Sequence, residues 1–327
     1  MSVRLTRRTA LGAMIAATAI RPAWSAPEKA RYLFPAPSSL PAFIPFHVAQ
    51  KRGYFAAQNI ELEVQTARGA VEVAKQVAVG NADIGGGLGE TSMIVRPNGL
   101  AVRGVALLGQ QPLFQIVTRK AAGVKTLADL RGKKLGVIGY QDTGYYALLA
   151  VLAANGIKRD DVEVQSVGPA GVTQLMIAQS LDGIVAVAEW SDAIETAGVA
   201  LDYFRIDNVF PAMAQAIVAS DKIIKERPAL VGGVVKAMMQ ALRDCIADPA
   251  SCARDFVAAV PQHQGKEAEM ERVLRRYVAD VYRTEPASAL GRFDPARLAK
   301  VQAFYLKNNI IASAAPVEDL YTNTFLT

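Results

Sequence analysis

The sequence predicts an α/β protein with two lobes and a helical C-terminal region. Short apolar runs alternate with segments of helical periodicity twice, first between residues 31 and 108 and again between residues 135 and 187. This alternation is typical of βα units built on a mainly parallel sheet. Single extended segments at 114–118 and 215–219 follow each unit. Two βα sheets linked by such hinge strands predict a cleft between two lobes.

The first unit carries its clearest helical signal at 69–79. Val71, Ala74 and Val77 recur there at the spacing of one helix face. Residues 60–66 alternate between apolar and polar types, which predicts a strand. The other predicted elements are a strand at 31–35, a Pro- and Ser-rich loop at 36–45, a helix ending near residue 53, a brief strand at 83–86, a further helix and a strand at 102–108.

The second unit repeats the alternation, and the remainder of the chain is helical. Strands are predicted at 135–138, 162–167 and 183–187, with helices at 143–155 and 173–179. The helical region comprises 228–247, 250–260, 266–281 and 295–308. Asp248 and Pro249 fit the cap and first position of the second of these helices. We therefore expect one lobe from 26–113 plus 220–327 and the other from 114–219.

The N-terminal 25 residues have the pattern of a cleaved export signal. They are basic, contain no acid and hold an apolar run shorter than the roughly 20 residues that span a bilayer. The pair Arg7 and Arg8 is typical of a twin-arginine signal, with an ordinary Sec signal as the alternative. Cleavage is expected near Ser25 and Ala26. These features predict a periplasmic protein without membrane insertion.

Charge limits the kinds of partner that the protein can bind, and cysteine content limits its covalent cross-links. The chain has 36 basic and 30 acidic residues, and the signal holds four of the bases. The mature charge is therefore small, and no basic stripe with interleaved aromatics predicts a nucleic-acid partner. Cys245 and Cys252 flank the predicted helix boundary. In an oxidising compartment they fit either a structural disulfide or two buried thiols on adjacent helices.

A series of short motifs resembles, in order, those of ABC-transporter solute-binding proteins. The motifs are KRGYF at 51–55, IELEV at 60–64, VGNADIG at 79–85, KTLADLRGKK at 125–134 and PVEDLY at 316–321. The chain is similar to the branch whose members bind sulfonates, taurine, nitrate or aminopyrimidine precursors of thiamine. The resemblance implies a periplasmic binding protein type II fold, a small-molecule ligand between the lobes and a monomer whose partners are ABC permease subunits.

The binding site is expected in loops at the carboxyl ends of strands, where ligands bind in open α/β folds. Four loops qualify: 37–39, 87–91, 139–144 and 188–191. The glycine run at 85–89 is expected to allow close approach of a ligand and to expose backbone N–H groups. The candidate residues from the first three loops are Pro37, Ser38, Ser39, Gly87, Glu90, Thr91, Asp142, Thr143 and Gly144.

Aromatic and acidic side chains in these loops indicate the ligand's chemistry. Phe43, Tyr140 and Trp190 can stack on a planar ligand or wall an apolar one. A carboxylate such as Glu189 repels an anion in a poorly screened cleft. Glu189 beside Trp190 therefore favours an aminopyrimidine or another amine-bearing heterocycle. The alternative ligands are a sulfonate, taurine or nitrate, and the alternative role for the protein is that of an exported ligand sensor. For Asp142 the alternative is a plain helix-capping role.

No motif indicates catalysis, a metal or a cofactor. His47 and His263 are the only histidines, and the chain has no HExxH, CxxC, GxSxG or Walker motif. His47 fits a structural role on its helix. A fungal relative of the resembled family is an aminopyrimidine synthase that uses a pyridoxal-phosphate lysine and its own histidine. This chain lacks that enzyme's run of adjacent cysteines, so we expect binding without catalysis.

Overall fold

Residues 26–326, which the computed structural model describes, form two five-stranded sheets with flanking helices. The strands in chain order are β1 (Glu28–Phe34), β2 (Ile60–Thr66), β3 (Ile84–Leu88), β4 (Val102–Leu107), β5 (Gln115–Arg119), β6 (Lys134–Val137), β7 (Glu163–Ser166), β8 (Gly183–Ala186), β9 (Leu201–Arg205) and β10 (Gln215–Ser220). The export signal predicted for residues 1–25 lies outside the described residues.

The helices are placed mainly between strands and after β10. They are α1 (Ile44–Lys51), α2 (Ala70–Ala78), α3 (Thr91–Val95), α4 (Thr143–Ala154), α5 (Gly168–Ile177), α6 (Ala188–Thr196), α7 (Asp221–Glu226), α8 (Pro228–Ala247), α9 (Pro249–Ala259), α10 (Glu267–Tyr277), α11 (Pro295–Lys307) and α12 (Val317–Leu320). None of the helices within residues 26–326 is both long and apolar enough to cross a bilayer.

The two sheets have matching topologies. The first has the order β2-β1-β3-β10-β4 and the second β7-β6-β8-β5-β9. Strands β1, β2 and β3 are parallel, as are β6, β7 and β8. One strand in each sheet, β10 and β5, pairs antiparallel with both of its neighbours. This is the two-sheet α/β fold that the sequence predicts.

The chain crosses between the sheets twice, immediately before each of these antiparallel strands. The segments that cross are 108–114 and 206–214. Strand β10 pairs with β3 and β4 of the first sheet, whereas the division drawn from the sequence placed residues up to 219 in the second lobe. We therefore propose lobes of 26–113 plus 215–326 and of 114–214, because backbone pairing assigns β10 to the first sheet.

Local sequence signals explain the helical region well. Helix α8 occupies the predicted residues, and α9 begins at the predicted Pro249 with the Asp248 carboxylate accepting a hydrogen bond from the Ser251 N–H. Arg52, at the end of α1, donates to Asp244 on α8 and Asp255 on α9, which ties this region to the first sheet.

Cys245 and Cys252 are buried free thiols.

Three features differ from the sequence-based expectation. The loop predicted at 188–191 is the first turn of α6, where an acidic residue is favoured by the helix dipole. Strand β9 is an edge strand with mixed charged and aromatic residues, so its pattern was not recognised. The glycine run at 85–88 is a fully buried strand whose backbone pairs with β10. Its glycines admit neighbouring side chains, since a Cβ on Gly85 would meet Val73.

Candidate functional site

A cavity of about 70 Å³ lies between the two sheets. Its lining comes from the carboxyl ends of β1 and β3 in the first sheet and from the residues that follow β6 and β8 in the second. The volume holds several water molecules, because one needs roughly 10–15 Å³. The position agrees with the rule that open α/β folds bind ligands at strand carboxyl ends.

One wall of the cavity is aromatic. Phe34 of β1 packs against Phe43 and Phe46 with ring centroids 4.7 and 4.8 Å apart. Trp190, in the first turn of α6, lines the cavity from the second sheet and is 6% exposed. Aromatic rings from both sheets therefore line the cavity, and a flat ligand can stack on such rings.

Three polar side chains that line the cavity each hold a buried atom without a hydrogen-bond partner in the described part of the chain. They are Glu189 Oε1, Trp190 Nε1 and Gln215 Oε1. The Gln215 amide is oriented by its Nε2, which donates to the Ala42 carbonyl at 3.0 Å. Two acceptors and one donor on residues of the lining are therefore unsatisfied. Buried polar atoms are normally paired, so these three indicate missing ligand contacts.

Glu189 is placed by its helix and by a contact from the C-terminal region. It lies in the first turn of α6, and its Oε2 accepts a hydrogen bond from the Tyr277 hydroxyl. Burial raises the pKa of Glu189 to about 7, and the Tyr277 hydrogen bond partly opposes that rise. The carboxyl therefore keeps its proton at higher pH than a solvated glutamate does. It can accept from a ligand when ionised.

Asp142 and Thr143 line the cavity where β6 leads into α4. The Asp142 carboxylate accepts the Gly144 N–H at 2.8 Å, so it caps α4 as well. Burial raises the pKa of Asp142 to about 6 despite this bond. Gly144 packs behind the cap against Phe114 and does not line the cavity.

Glu90 and Thr91 lie behind the cavity wall, so they do not face Glu189 and Trp190 across it. The Glu90 carboxylate accepts the Met213 N–H in the second crossing segment and borders a separate small cavity. Burial raises the pKa of Glu90 to about 7. The Thr91 hydroxyl accepts the Leu88 N–H at 2.8 Å. Gly87, by contrast, lines the main cavity.

The remaining predicted residues lie outside the cavity lining. Pro37 is exposed, and the carbonyls of Ser38 and Ser39 contact the ring nitrogens of His47 and His263 at 2.8 and 2.7 Å. The two histidines thus hold the loop that precedes the aromatic wall. Tyr140 is 48% exposed, and its hydroxyl donates to the Val164 carbonyl.

Several lining residues were not singled out from the sequence. Gln215 opens a strand whose next four residues are apolar, and that isolated amide is a usable signal. Tyr32 and Phe34 were read only as part of a strand, and Met238 as part of a helix. Nothing local indicates that Tyr277 meets Glu189, because 88 residues separate them.

Among residues 26–326, those that line the cavity include no lysine, arginine or histidine. An anion would therefore meet carboxyl groups without a compensating cation. Within residues 26–326 there is also no cluster of three or more histidine, cysteine or acidic side chains that could hold a metal ion.

The fold and the cavity between its sheets define the class: the chain has the fold of periplasmic solute-binding proteins. The alkanesulfonate-binding protein SsuA of Xanthomonas axonopodis is similar over 92% of this chain and 100% of its own, with a TM-score of 0.69 at 16% identity. Residues 40–252 match the family described as NMT1/THI5 like, and the chain belongs to that family.

Two curated relatives differ in what their names describe. The riboflavin-binding protein RibY of Chloroflexus aurantiacus is 24% identical over 87% of this chain and 82% of its own length. The 4-amino-5-hydroxymethyl-2-methylpyrimidine phosphate synthase THI11 of Saccharomyces cerevisiae is 23% identical over 68% of each chain. One of these relatives is named as a binding protein and the other as an enzyme, so the chemistry of this site must decide between the two roles.

Proposed function

We propose that this protein is the periplasmic solute-binding component of an ABC importer. It would capture a small ring-shaped ligand between its two lobes and deliver it to the permease subunits. The observation that carries the proposal is the cavity between the sheets, lined by residues of both sheets that hold three unsatisfied polar atoms. A ligand that contacts both sheets stabilises the closed arrangement through its differential affinity.

The polar atoms favour an amine-bearing heterocycle as the ligand. Glu189 Oε1 and Gln215 Oε1 need donors, and Trp190 Nε1 needs an acceptor. An amino-substituted nitrogen ring supplies both kinds of group on one flat framework. The aromatic wall then provides a stacking surface, which is worth about 1–3 kcal/mol for a planar base.

The same atoms argue against an oxyanion ligand. Sulfonate and nitrate groups present only acceptors, and they would face Glu189 and Asp142 with no cation in the lining. Repulsion between like charges is strong where water is excluded, so an oxyanion would first have to keep both carboxyls protonated. Sulfonate or nitrate binding by relatives of this fold therefore does not transfer to this cavity.

An enzymatic role is not favoured by the cavity. A synthase that uses a pyridoxal-phosphate lysine needs a lysine at the site, and none lines this one. His47 and His263 are engaged by loop carbonyls outside the lining. We therefore propose binding as the activity.

A ligand screen on refolded, ligand-stripped protein tests the proposal. The probes are 4-amino-5-hydroxymethyl-2-methylpyrimidine, riboflavin, taurine and nitrate, each followed by thermal unfolding. We expect the aminopyrimidine to raise the unfolding midpoint by several degrees, because a ligand at about 100 times its Kd adds about 2.7 kcal/mol.

The other probes define the alternatives. Stabilisation by riboflavin alone would replace the proposed aminopyrimidine with a flavin as the ligand. It would require a wider cleft than this structure has and would leave a transport role intact. Stabilisation by taurine or nitrate alone would contradict the reasoning from the unsatisfied acceptors. Turnover of the aminopyrimidine by the protein would overturn the binding-only assignment.

A further inference from the structure

Helices α6 and α10 face each other across the cleft with complementary side chains. Three acidic residues of α6 are spaced three apart, which places them along one side of the helix. Each contacts a different residue of α10. The pairs are Glu189 with Tyr277, Asp192 with Arg272 and Glu195 with Arg276.

All three contacts join the two sheets. Helix α6 connects β8 to β9 and therefore belongs with the second sheet. Helix α10 packs on α9, and α9 packs on α1, which follows β1 of the first sheet. The pairs can form only when the two sheets are held against each other.

The three pairs differ in burial. Glu189 lines the cavity, and its contact with the Tyr277 hydroxyl is buried. Asp192 follows, with a side chain only 8% exposed, and it accepts two hydrogen bonds of 2.8 Å from the guanidinium of Arg272. Two parallel bonds of this kind fix geometry as well as charge. The Glu195–Arg276 pair, at 2.7 Å, is partly exposed on both sides.

We propose that these three pairs form a latch that holds the lobes closed over the ligand. This inference rests on the proposed function. Glu189 belongs to both systems, since Oε2 bonds Tyr277 while Oε1 lies unsatisfied at the cavity. A ligand that donates to Oε1 therefore binds a carboxylate that the latch already holds in place. Ligand binding and lobe closure then stabilise each other.

Helix α10 supplies its own control. Arg275 lies between the two latch arginines, and its guanidinium bonds Glu271 on the same helix. Replacing Arg275 removes one positive charge from the same surface without breaking a contact between the sheets. The matched comparison is Arg272→Gln with Arg276→Gln against Arg275→Gln.

Small-angle X-ray scattering of ligand-stripped protein measures closure without any ligand. We expect a larger radius of gyration for the double variant than for wild type and no change for Arg275→Gln. High salt should enlarge wild type towards the double variant, because it screens the exposed pair. An unchanged radius in the double variant at low salt would overturn the latch.

Affinity gives a second measurement. Binding of 4-amino-5-hydroxymethyl-2-methylpyrimidine should weaken about three- to tenfold in the double variant, the range expected for losing two partly exposed ion pairs. Equal affinity in the double variant and wild type would contradict the coupling. If no probe binds wild type, the ligand proposal fails, and scattering alone decides the latch. Asp192→Asn, which breaks the central pair from the other side, serves if the double variant does not fold.

Discussion

Replacing Glu189 by glutamine should make the ligand-free protein more stable at neutral pH and less sensitive to pH. The change removes a buried ionisable group and keeps its size, and the glutamine can still hydrogen-bond Tyr277. Burial raises the pKa of the Glu189 carboxyl from its ordinary 4.5 to about 7. The folded state therefore holds this proton more tightly than the unfolded state does.

The direction and size of the effect follow from that difference. Below pH 4.5 the carboxyl is protonated in both the folded and the unfolded state, and its contribution to folding stability is fully present. As pH rises towards about 7, the unfolded chain ionises first and folding stability falls. Each pKa unit is worth 1.36 kcal/mol, so Glu189 should cost wild type about 3 kcal/mol across this window.

Urea denaturation at about pH 4.5 and about pH 7.5 measures the effect. Wild type should lose stability over this range, because Glu90 and Asp142 also have raised pKa values. The Glu189→Gln variant should lose about 3 kcal/mol less than wild type. The control is Glu63→Gln, which changes an exposed carboxylate on β2 and should follow wild type.

If Glu189→Gln and wild type lost the same folding stability between the two pH values, the reasoning would be refuted. That result would mean that the cleft of the ligand-free protein is open in solution and that water hydrates the carboxyl. A variant that is less stable than wild type at both pH values would instead show that the carboxylate–Tyr277 bond outweighs the burial of charge.

Three further predictions follow from other parts of the chain. Trp190→Ala should weaken ligand binding by about 1–3 kcal/mol in calorimetry. Trp190→Phe should keep the stacking contribution to the binding free energy and lose only the indole N–H contact. Equal affinity in both variants and wild type would remove Trp190 from the site. Gly109→Ala should destabilise the protein by more than the roughly 1 kcal/mol expected for Gly123→Ala in urea denaturation, because both have positive φ but a Cβ at Gly109 would also overlap a backbone carbonyl. Changing Arg7 and Arg8 to Lys should leave unprocessed precursor in the cell, and normal secretion would leave only the Sec alternative.

The local part of the structure could be predicted from the sequence. Helix α8 and the Asp248 cap of α9 depend on periodicity and on hydrogen bonds within a few residues, so the sequence contains both signals. Asp142 was recognised for the same reason, as a cap at a strand end. The α6 turn that carries Glu189 was placed correctly along the chain, although it was expected to be a loop.

The direction in which each side chain points was decided by tertiary structure. Glu90 and Glu189 have similar positions after a buried strand, yet Glu90 turns to the Met213 N–H and Glu189 to the cavity. Gln215 joins the site because β10 returns to the first sheet beside β3.

What the sequence by itself determined is the α/β class, the repeated units, the helical region and the strand-end turns, because their signals lie within a few residues. Only the tertiary structure decided which polar atoms share the cavity and that Tyr277 holds Glu189, 88 residues away. Pairings of this kind depend on how two sheets and a distant helix pack together. The residues next to either partner carry no trace of that packing.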